Sequence, residues 1–395
     1  MKITRLAPSR AHRWWNCLGS VRMEATAPIT ERDSEIAREG TAAHKLFELC
    51  LSKKHDADRY VGEVLKLGRD GEWEVTEEMA EHIQDGVDVV RRRVGKGKLW
   101  LENEVHIKAN GIVVGGTLDA SWHGLYQQEG KVKKALWELN ILDLKYGLLM
   151  VEAHDNKQLR IYARGKLREL LHQGKKVDKV VLWIYQPRLQ TADDIPFRRV
   201  EMEPHELIEF EMELQEKVEQ ILKPKAPLKA GTWCLYCAAH ATCPEAERAA
   251  TRILRTTYSV DDRQRIGELM IAVPMIEKWC GSIRELAKSM GHNGGPPIGF
   301  KMVPGNRLKR WPGKKVDAIQ KTLPKLLKAF PKVKVDDIAP RALLSPSKVL
   351  KVVGKDQDEK LSKFYFERRG ADRLVPENDS RSAMTINDYF EKEEE

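Results

Sequence analysis

The chain has 395 residues, of which 42% are hydrophobic and 32% are charged, and its formal net charge is +9. Such a length and composition are typical of a globular protein with two domains, and the positive charge permits nucleic-acid binding without requiring it. No run approaches the roughly 20 apolar residues that cross a bilayer, and no apolar leader follows Met1, so we expect a cytoplasmic protein without a membrane segment.

The N-terminal part of the chain predicts three helices. A polar, Trp-containing segment at 9–24 indicates a short helix, with Ser9 as its N-cap. Apolar residues at helical spacing predict a second helix at 34–53 and a third at 77–94.

The middle of the chain predicts a sheet. The glycine pair at 115–116 indicates a β-bulge or a close approach of backbones within it. Alternation and β-branched composition predict strands at 99–107, 112–122, 135–144 and 179–186, and helices at 156–172 and 206–222. The expected fold class is α/β, with a mixed central sheet flanked by helices.

The C-terminal part is expected to be helical and then basic. Helices are predicted at 245–255 and 260–290, and cations alternate with aromatic residues at 299–311. That basic stretch suits phosphate contact and base stacking, although a solvated basic loop fits equally well. The predicted divisions are a core at 1–250, a helical connector at 251–290, and a mostly helical basic accessory domain with an acidic tail at 291–395.

The most informative motif is the strand at 141–145, which follows Asp119 along the chain. Alternation places Asp143 and Lys145 on one face, with the two leucines pointing into the opposite layer. Paired carboxylates bind a hard divalent cation, so Asp119 and Asp143 are candidate ligands, with the Leu144 carbonyl as a further one. Lys145 is the candidate catalytic cation, which would orient water or stabilise the transition state. The alternative reading is a surface ion pair at a strand end.

Several motifs occur in an order that resembles the RecB-like branch of the PD-(D/E)xK nuclease superfamily. They are Gly40–His44 with Glu48, Gly116–Asp119, Leu142–Lys145, and Gln158 with Tyr162. The resemblance covers residues 9–250 and implies a restriction-endonuclease-like core. It implies that His44 joins the two aspartates as a ligand of Mg²⁺ or Mn²⁺. It also implies that Gln158 and Tyr162 face the site and position the DNA backbone.

The cysteines suggest a second metal centre. Cys234, Cys237 and Cys243 form a C-x2-C-x5-C array, and Cys17 is the candidate fourth thiolate. One cysteine before the core and three after it is similar to iron-sulfur nucleases such as the AddB subunit and the CRISPR-associated RecB-like exonucleases. That resemblance implies a four-iron four-sulfur cluster that joins the ends of the domain. The alternative is zinc, with His240 or Cys17 as the fourth ligand.

The resemblance as a whole implies a metal-dependent DNA nuclease, specifically an exonuclease acting on DNA ends or single strands. The segment 374–381 resembles phage proteins, which implies a phage or prophage origin, a partner in phage recombination or replication, and the bacterial cytoplasm as the location. Two alternatives stay open at this point. One is a non-catalytic DNA-binding or scaffold protein that retains the nuclease fold, and the other is a zinc-stapled adaptor.

Overall fold

The structure is a computed structural model that describes residues 3–27, 35–127, 135–189, 196–255, 259, 261–293, 296–300 and 328. The chain divides into two compact units, Met1–Phe300 with Asn378–Glu395, and Lys301–Glu377. Most of the predicted accessory domain, including the basic stretch beyond residue 300 and the segment 374–381, lies outside the described residues.

The described part of the chain contains eight strands, eight α-helices and five short 3₁₀ helices. The strands are β1 (Arg5–Leu6), β2 (Val64–Lys66), β3 (Glu72–Glu74), β4 (Lys98–Ala109), β5 (Ile112–Gln127), β6 (Ala135–Leu144), β7 (Lys179–Tyr185) and β8 (Phe197–Met202). The α-helices are α1 (Ala11–Asn16), α2 (Ser20–Ala25), α3 (Glu35–Lys53), α4 (Glu77–Val94), α5 (Lys157–His172), α6 (Pro204–Leu222), α7 (Pro244–Leu254) and α8 (Arg263–His292). Within the described ranges, no helix combines the length and apolarity needed to span a bilayer.

The central sheet has six strands and mixed pairing. β4 and β6 are antiparallel to β5, β7 runs parallel to β6, and β8 closes the far edge antiparallel to β7. β1 pairs in parallel with the beginning of β5, on the edge that β6 occupies further along. The predicted fold class, an α/β fold with a mixed sheet between helices, is confirmed.

Helices cover both faces of the sheet, and successive side chains of a strand point to opposite faces. In β7 the buried residues Val181, Trp183 and Tyr185 pack with α3 and α4, whereas the intervening residues pack with α5. The end of β6 follows the same rule, because Leu142 and Leu144 face α3 and α4. Burial of both faces accounts for the almost unbroken apolar sequence of these two strands.

A gap in strand pairing lies on one edge of β5. β1 pairs with Val113 and Val114, and pairing with β6 begins only at Ala120. Residues 115–119 therefore have no strand partner on that edge among the described residues, which leaves space for side chains to meet there.

The prediction of one continuous helix at 9–24 is wrong, because two short α-helices lie there. A 3₁₀ turn (Pro8–Arg10) leads into α1, and α2 begins only at Ser20, so Ser9 caps no α-helix. The two helices are separated by a turn that contains Gly19, whose amide donates to the Pro227 carbonyl at 2.9 Å. A Cβ on Gly19 would lie 2.7 Å from the Ala226 carbonyl oxygen, so this close approach requires glycine.

The glycine pair in β5 forms no bulge. Register with β4 is continuous through Gly115 and Gly116, and a Cβ on Gly115 would lie 2.4 Å from the Val105 carbonyl oxygen. The close-approach reading therefore holds. The irregularity lies instead at Glu102, whose φ of 44° is left-handed. Leu101 packs toward α3 and α4, whereas Val105 packs toward α5, so β4 exchanges its buried face at this residue.

Gly86→Ala is expected to destabilise the fold because α4 packs closely on β7. A Cβ on Gly86 would lie 2.2 Å from a ring carbon of Tyr185, which is fully buried and stacked on Phe197. Overpacking of this kind costs about 1–3 kcal/mol. Gly40→Ala is the control, because that position in α3 has open space and alanine favours helix by about 0.5–1 kcal/mol. Chemical unfolding of both variants measures the difference, and equal stabilities would contradict the packing.

Candidate active site and cysteine centre

The site forms at the gap in pairing along β5. α3 contributes His44, β5 contributes Asp119, the end of β6 contributes Asp143, and Lys145 follows directly. The Lys145 amide donates to the Tyr185 carbonyl at 2.8 Å, which continues the pairing with β7 beyond the strand. One helix and two strands, together with the residue that follows β6, therefore bring these side chains to one edge of the sheet.

Asp143, Lys145 and Gln158 form a closed ring of polar contacts. The Lys145 Nζ lies 2.7 Å from Asp143 Oδ2 and donates to Gln158 Oε1 at 3.2 Å. Gln158 Nε2 donates to Asp143 Oδ1 at 2.6 Å. Burial alone would lower the pKa of Lys145, but the Asp143 and Asp119 carboxylates outweigh it and raise that pKa. The ammonium is therefore held as a cation with a fixed direction.

His44 and Asp119 form the second pair. His44 Nδ1 lies 3.2 Å from Asp119 Oδ1, and the Leu144 amide donates to Asp119 Oδ2 at 2.7 Å. Burial would lower the pKa of His44, but the Asp119 and Asp143 carboxylates raise it to about 8. Burial would raise the pKa of Asp119, but His44 and Lys145 outweigh it and lower that pKa. A metal ion on this imidazole would have to displace a proton.

Glu102 is a site residue that the sequence analysis missed. One ligand atom from each of His44, Glu102 and Asp119 lies within 4.8 Å of the others. Withdrawal of its carboxyl from water, and then the Asp119 carboxylate, raise the pKa of Glu102 to about 7, although the residue as a whole is exposed. Glu104, two residues further along β4, pairs instead with Arg5 at 3.0 Å.

Tyr162 lies beneath the site. It is 3% exposed, and its hydroxyl lies 3.2 Å from the position of a Cβ on Gly116. Its hydroxyl interacts with the Gln158 side chain, which belongs to the ring of polar contacts. Tyr162 therefore reaches the site through Gln158, and its predicted contact with DNA stays a prediction.

Gln186, which is fully buried, forms hydrogen bonds with the backbone of the segment that follows Lys145. Its side-chain amide donates to the Gly147 carbonyl at 2.8 Å and the Leu149 carbonyl at 2.7 Å, and its Oε1 accepts from the Val151 amide at 3.2 Å. One buried amide thus fixes the turn that carries the chain from Lys145 toward α5.

The four cysteines singled out by their spacing line one pocket. Cys17 follows α1, Cys234 lies in a 3₁₀ turn at Thr232–Tyr236, and Cys243 precedes α7. The pocket is lined by Cys17, Cys234, Cys237 and Cys243 together with Arg13 and His240, among others. Burial raises the pKa of the Cys237 thiol to about 12 and also raises those of Cys17 and Cys234. Thiols this buried become thiolates readily only when a metal binds them.

A buried ion pair shapes the segment that carries these cysteines. Arg13 Nη2 donates to Glu24 Oε2 at 2.6 Å, and the two side chains are 7% and 12% exposed. Arg13 also donates to the Tyr236 carbonyl at 2.9 Å, and Glu24 accepts from the Ala238 amide at 2.9 Å. The pair therefore holds the backbone on both sides of Cys237.

This chain is similar to a solved structure and to a protein family. A solved structure titled "Crystal structure of SSO0001" aligns with 62% of this chain and 87% of its own, at 14% identity and a TM-score of 0.27. At that TM-score the alignment supports no inference. A family model described as "Protein of unknown function (DUF2800)" matches residues 4–382. Because that match spans nearly the whole chain, including both sites, the protein belongs to the DUF2800 family.

Proposed function

We propose that the protein is a divalent-metal-dependent deoxyribonuclease. The observation that carries the proposal is that His44 contacts Asp119 and Lys145 contacts Asp143, and that the charges of these two pairs interact at one edge of the sheet. Imidazole and carboxylate donors fit Mg²⁺ or, because of the imidazole, Mn²⁺. The order of motifs along the chain, which resembles RecB-like nucleases, supports the same reading.

The side chains of the site would have different roles in phosphodiester hydrolysis. His44, Asp119 and Asp143 would hold the ion, which lowers the pKa of bound water and neutralises charge on the phosphate. Lys145 would orient the attacking water and stabilise negative charge on the reacting phosphate, since its ammonium is directed by Asp143 and Gln158. The Leu144 carbonyl remains a proposed further ligand. The Leu144 amide holds Asp119 in place.

DNA is the proposed substrate, cut from ends or as single strands. The net charge of +9 favours a polyanionic partner. A role in phage recombination or replication, in the bacterial cytoplasm and alongside a protein of that machinery, is part of the proposal and follows from the sequence resemblance alone.

Cleavage assays with the full chain test this proposal. Purified protein is incubated with end-labelled single- and double-stranded DNA, with and without Mn²⁺, beside Asp143→Asn and the surface variant Asp155→Asn. We expect metal-dependent products from the wild type and from Asp155→Asn, and none from Asp143→Asn. Binding without a metal-dependent product would instead favour a DNA-binding or scaffold role.

Glu102→Gln is expected to weaken Mn²⁺ binding about 10-fold, because it removes a carboxylate beside His44 and Asp119. Calorimetric titration of the full chain with MnCl₂ measures the change. Glu104→Gln is the control, since this carboxylate lies on the same strand but pairs with Arg5. Equal Mn²⁺ affinity in the two variants would remove Glu102 from the metal site.

We further propose that the four cysteines hold a four-iron four-sulfur cluster. The donor set fits, because the four thiols line one pocket and a cluster of this type takes four thiolates. The cluster would connect the N-terminal segment to residues 234–243. Broad visible absorbance and about four iron and four sulfide ions per chain would support it. A colourless protein with one zinc ion would replace it with the zinc reading.

A further inference from the structure

Two buried side chains at the cysteine pocket, His240 and Arg13, have nitrogen atoms without a hydrogen-bond partner among the described residues. His240 is 1% exposed, and neither of its ring nitrogens has a hydrogen-bond partner among the described residues. Arg13 is 6% exposed, and its Nε is likewise without a partner there, although its two terminal nitrogens are bonded. Both side chains line the pocket that the four cysteines share.

Such orphaned groups are uncommon in folded proteins, because burying a donor without an acceptor is unfavourable. An imidazole carries at least one N–H in either of its protonation states, and the Nε of a guanidinium always carries one. The pocket therefore presents two N–H donors with no oxygen to receive them.

The missing acceptors are supplied by sulfur if a cluster fills the pocket. A four-iron four-sulfur cluster with four thiolates carries eight sulfur atoms, each a hydrogen-bond acceptor, and needs no fifth ligand. A zinc ion with four thiolates offers fewer acceptors. Lys229 already shows the pattern, because its amide donates to Cys17 Sγ at 3.3 Å.

We propose that His240 and Arg13 donate N–H hydrogen bonds to sulfur atoms of the metal centre and raise its reduction potential. This inference rests on the iron-sulfur cluster proposed above. One-electron reduction adds a negative charge to the cluster, and N–H donors and the guanidinium cation stabilise that more negative form. The centre would then accept one electron from an external one-electron reductant and respond to redox conditions, in addition to joining two parts of the chain.

The test compares wild type, His240→Gln and His240→Leu, all full length and reconstituted anaerobically. His240→Gln keeps an N–H donor, whereas His240→Leu has similar bulk and none. Dithionite titration with redox dyes, followed by visible absorbance and electron paramagnetic resonance, gives each potential, and iron analysis gives cluster content. We expect full iron content in all three, a lower potential in His240→Leu, and a potential near that of wild type in His240→Gln.

Three outcomes would overturn the inference. An unchanged potential in His240→Leu would exclude the hydrogen bond, and loss of metal from that variant alone would make His240 a ligand. A colourless wild type with zinc would remove the cluster itself, whereas DNA cleavage would still be judged separately by the Asp143→Asn assay.

Pulsed electron paramagnetic resonance on the wild-type protein labelled with ¹⁵N-histidine needs no variant and so avoids any folding defect. A weak ¹⁵N coupling to the reduced cluster is expected for a hydrogen bond. A strong coupling, as from a ligand, or no coupling at all would contradict the proposal.

Discussion

Lys145→Met is expected to abolish metal-dependent DNA cleavage, lowering kcat/KM about 10³-fold while DNA affinity stays nearly unchanged. Methionine matches the length of the lysine stem but removes the ammonium that lies 2.7 Å from Asp143 Oδ2. Because that charge would act mainly on the reacting phosphate, its loss should appear in turnover and much less in binding. Single-turnover cleavage and fluorescence anisotropy with the same oligonucleotide measure the two effects.

Lys179→Met is the matched control for that experiment. Lys179 also lies in the sheet, its Nζ lies 2.8 Å from Glu138 Oε1, and its side chain is 21% exposed, compared with 28% for Lys145. Its removal should leave cleavage within about twofold of wild type, because Lys179 begins β7 and lies at the opposite end of that strand from Tyr185, whose carbonyl accepts from the Lys145 amide. Full activity in Lys145→Met, with metal-free controls, would remove the nuclease assignment.

Cys17→Ser is expected to destabilise the protein more than any other single cysteine substitution. Cys17 follows α1, whereas the other three pocket cysteines lie beyond residue 230, so a shared metal closes a very long loop. Closure of a loop of 100 residues or more stabilises a fold by about 4 kcal/mol in chain-entropy models. At this chain size that corresponds to a fall in Tm of roughly 10 °C.

Calorimetry and metal analysis on the full chain test this expectation. Cys280→Ser is the control, because that partly buried thiol lies in α8 and does not line the pocket. Equal melting temperatures for the two variants, each with full metal content, would show that Cys17 is no ligand.

The elements that the sequence predicts best are those with a clean buried face. α4 has the predicted bounds Glu77–Val94, and Thr76 caps it by accepting from the Met79 amide at 3.1 Å. β6 also has the predicted bounds, since its final residues are buried on both faces. β8 was missed because only Met202 at its end is buried, so its sequence carries little alternation.

Glu102 could have been found from the sequence. Asn110-Gly111 is a two-residue hairpin turn, and both residues have positive φ. Counting back from that turn pairs Leu101 with Ala120 and Asn103 with Leu118, which places Glu102 opposite Asp119. The register of a tight hairpin was therefore a signal for a third acidic group at the site. The left-handed backbone of Glu102 could not be predicted, because the residue is neither glycine nor asparagine, the types that usually adopt this conformation.

The sequence by itself determined the layered α/β architecture, the candidate acid and lysine residues and the cysteine array, because periodicity and spacing are local properties of the chain. Tertiary structure alone decided that His44 meets Asp119, that Gln158 joins Asp143 to Lys145, and that Cys17 shares a pocket with cysteines near residue 240. These meetings depend on which strands pair and where pairing stops. The turn at Gly19 likewise depends on a contact with Pro227, which is distant in sequence. The unpartnered nitrogens of His240 depend on the groups that surround its buried side chain.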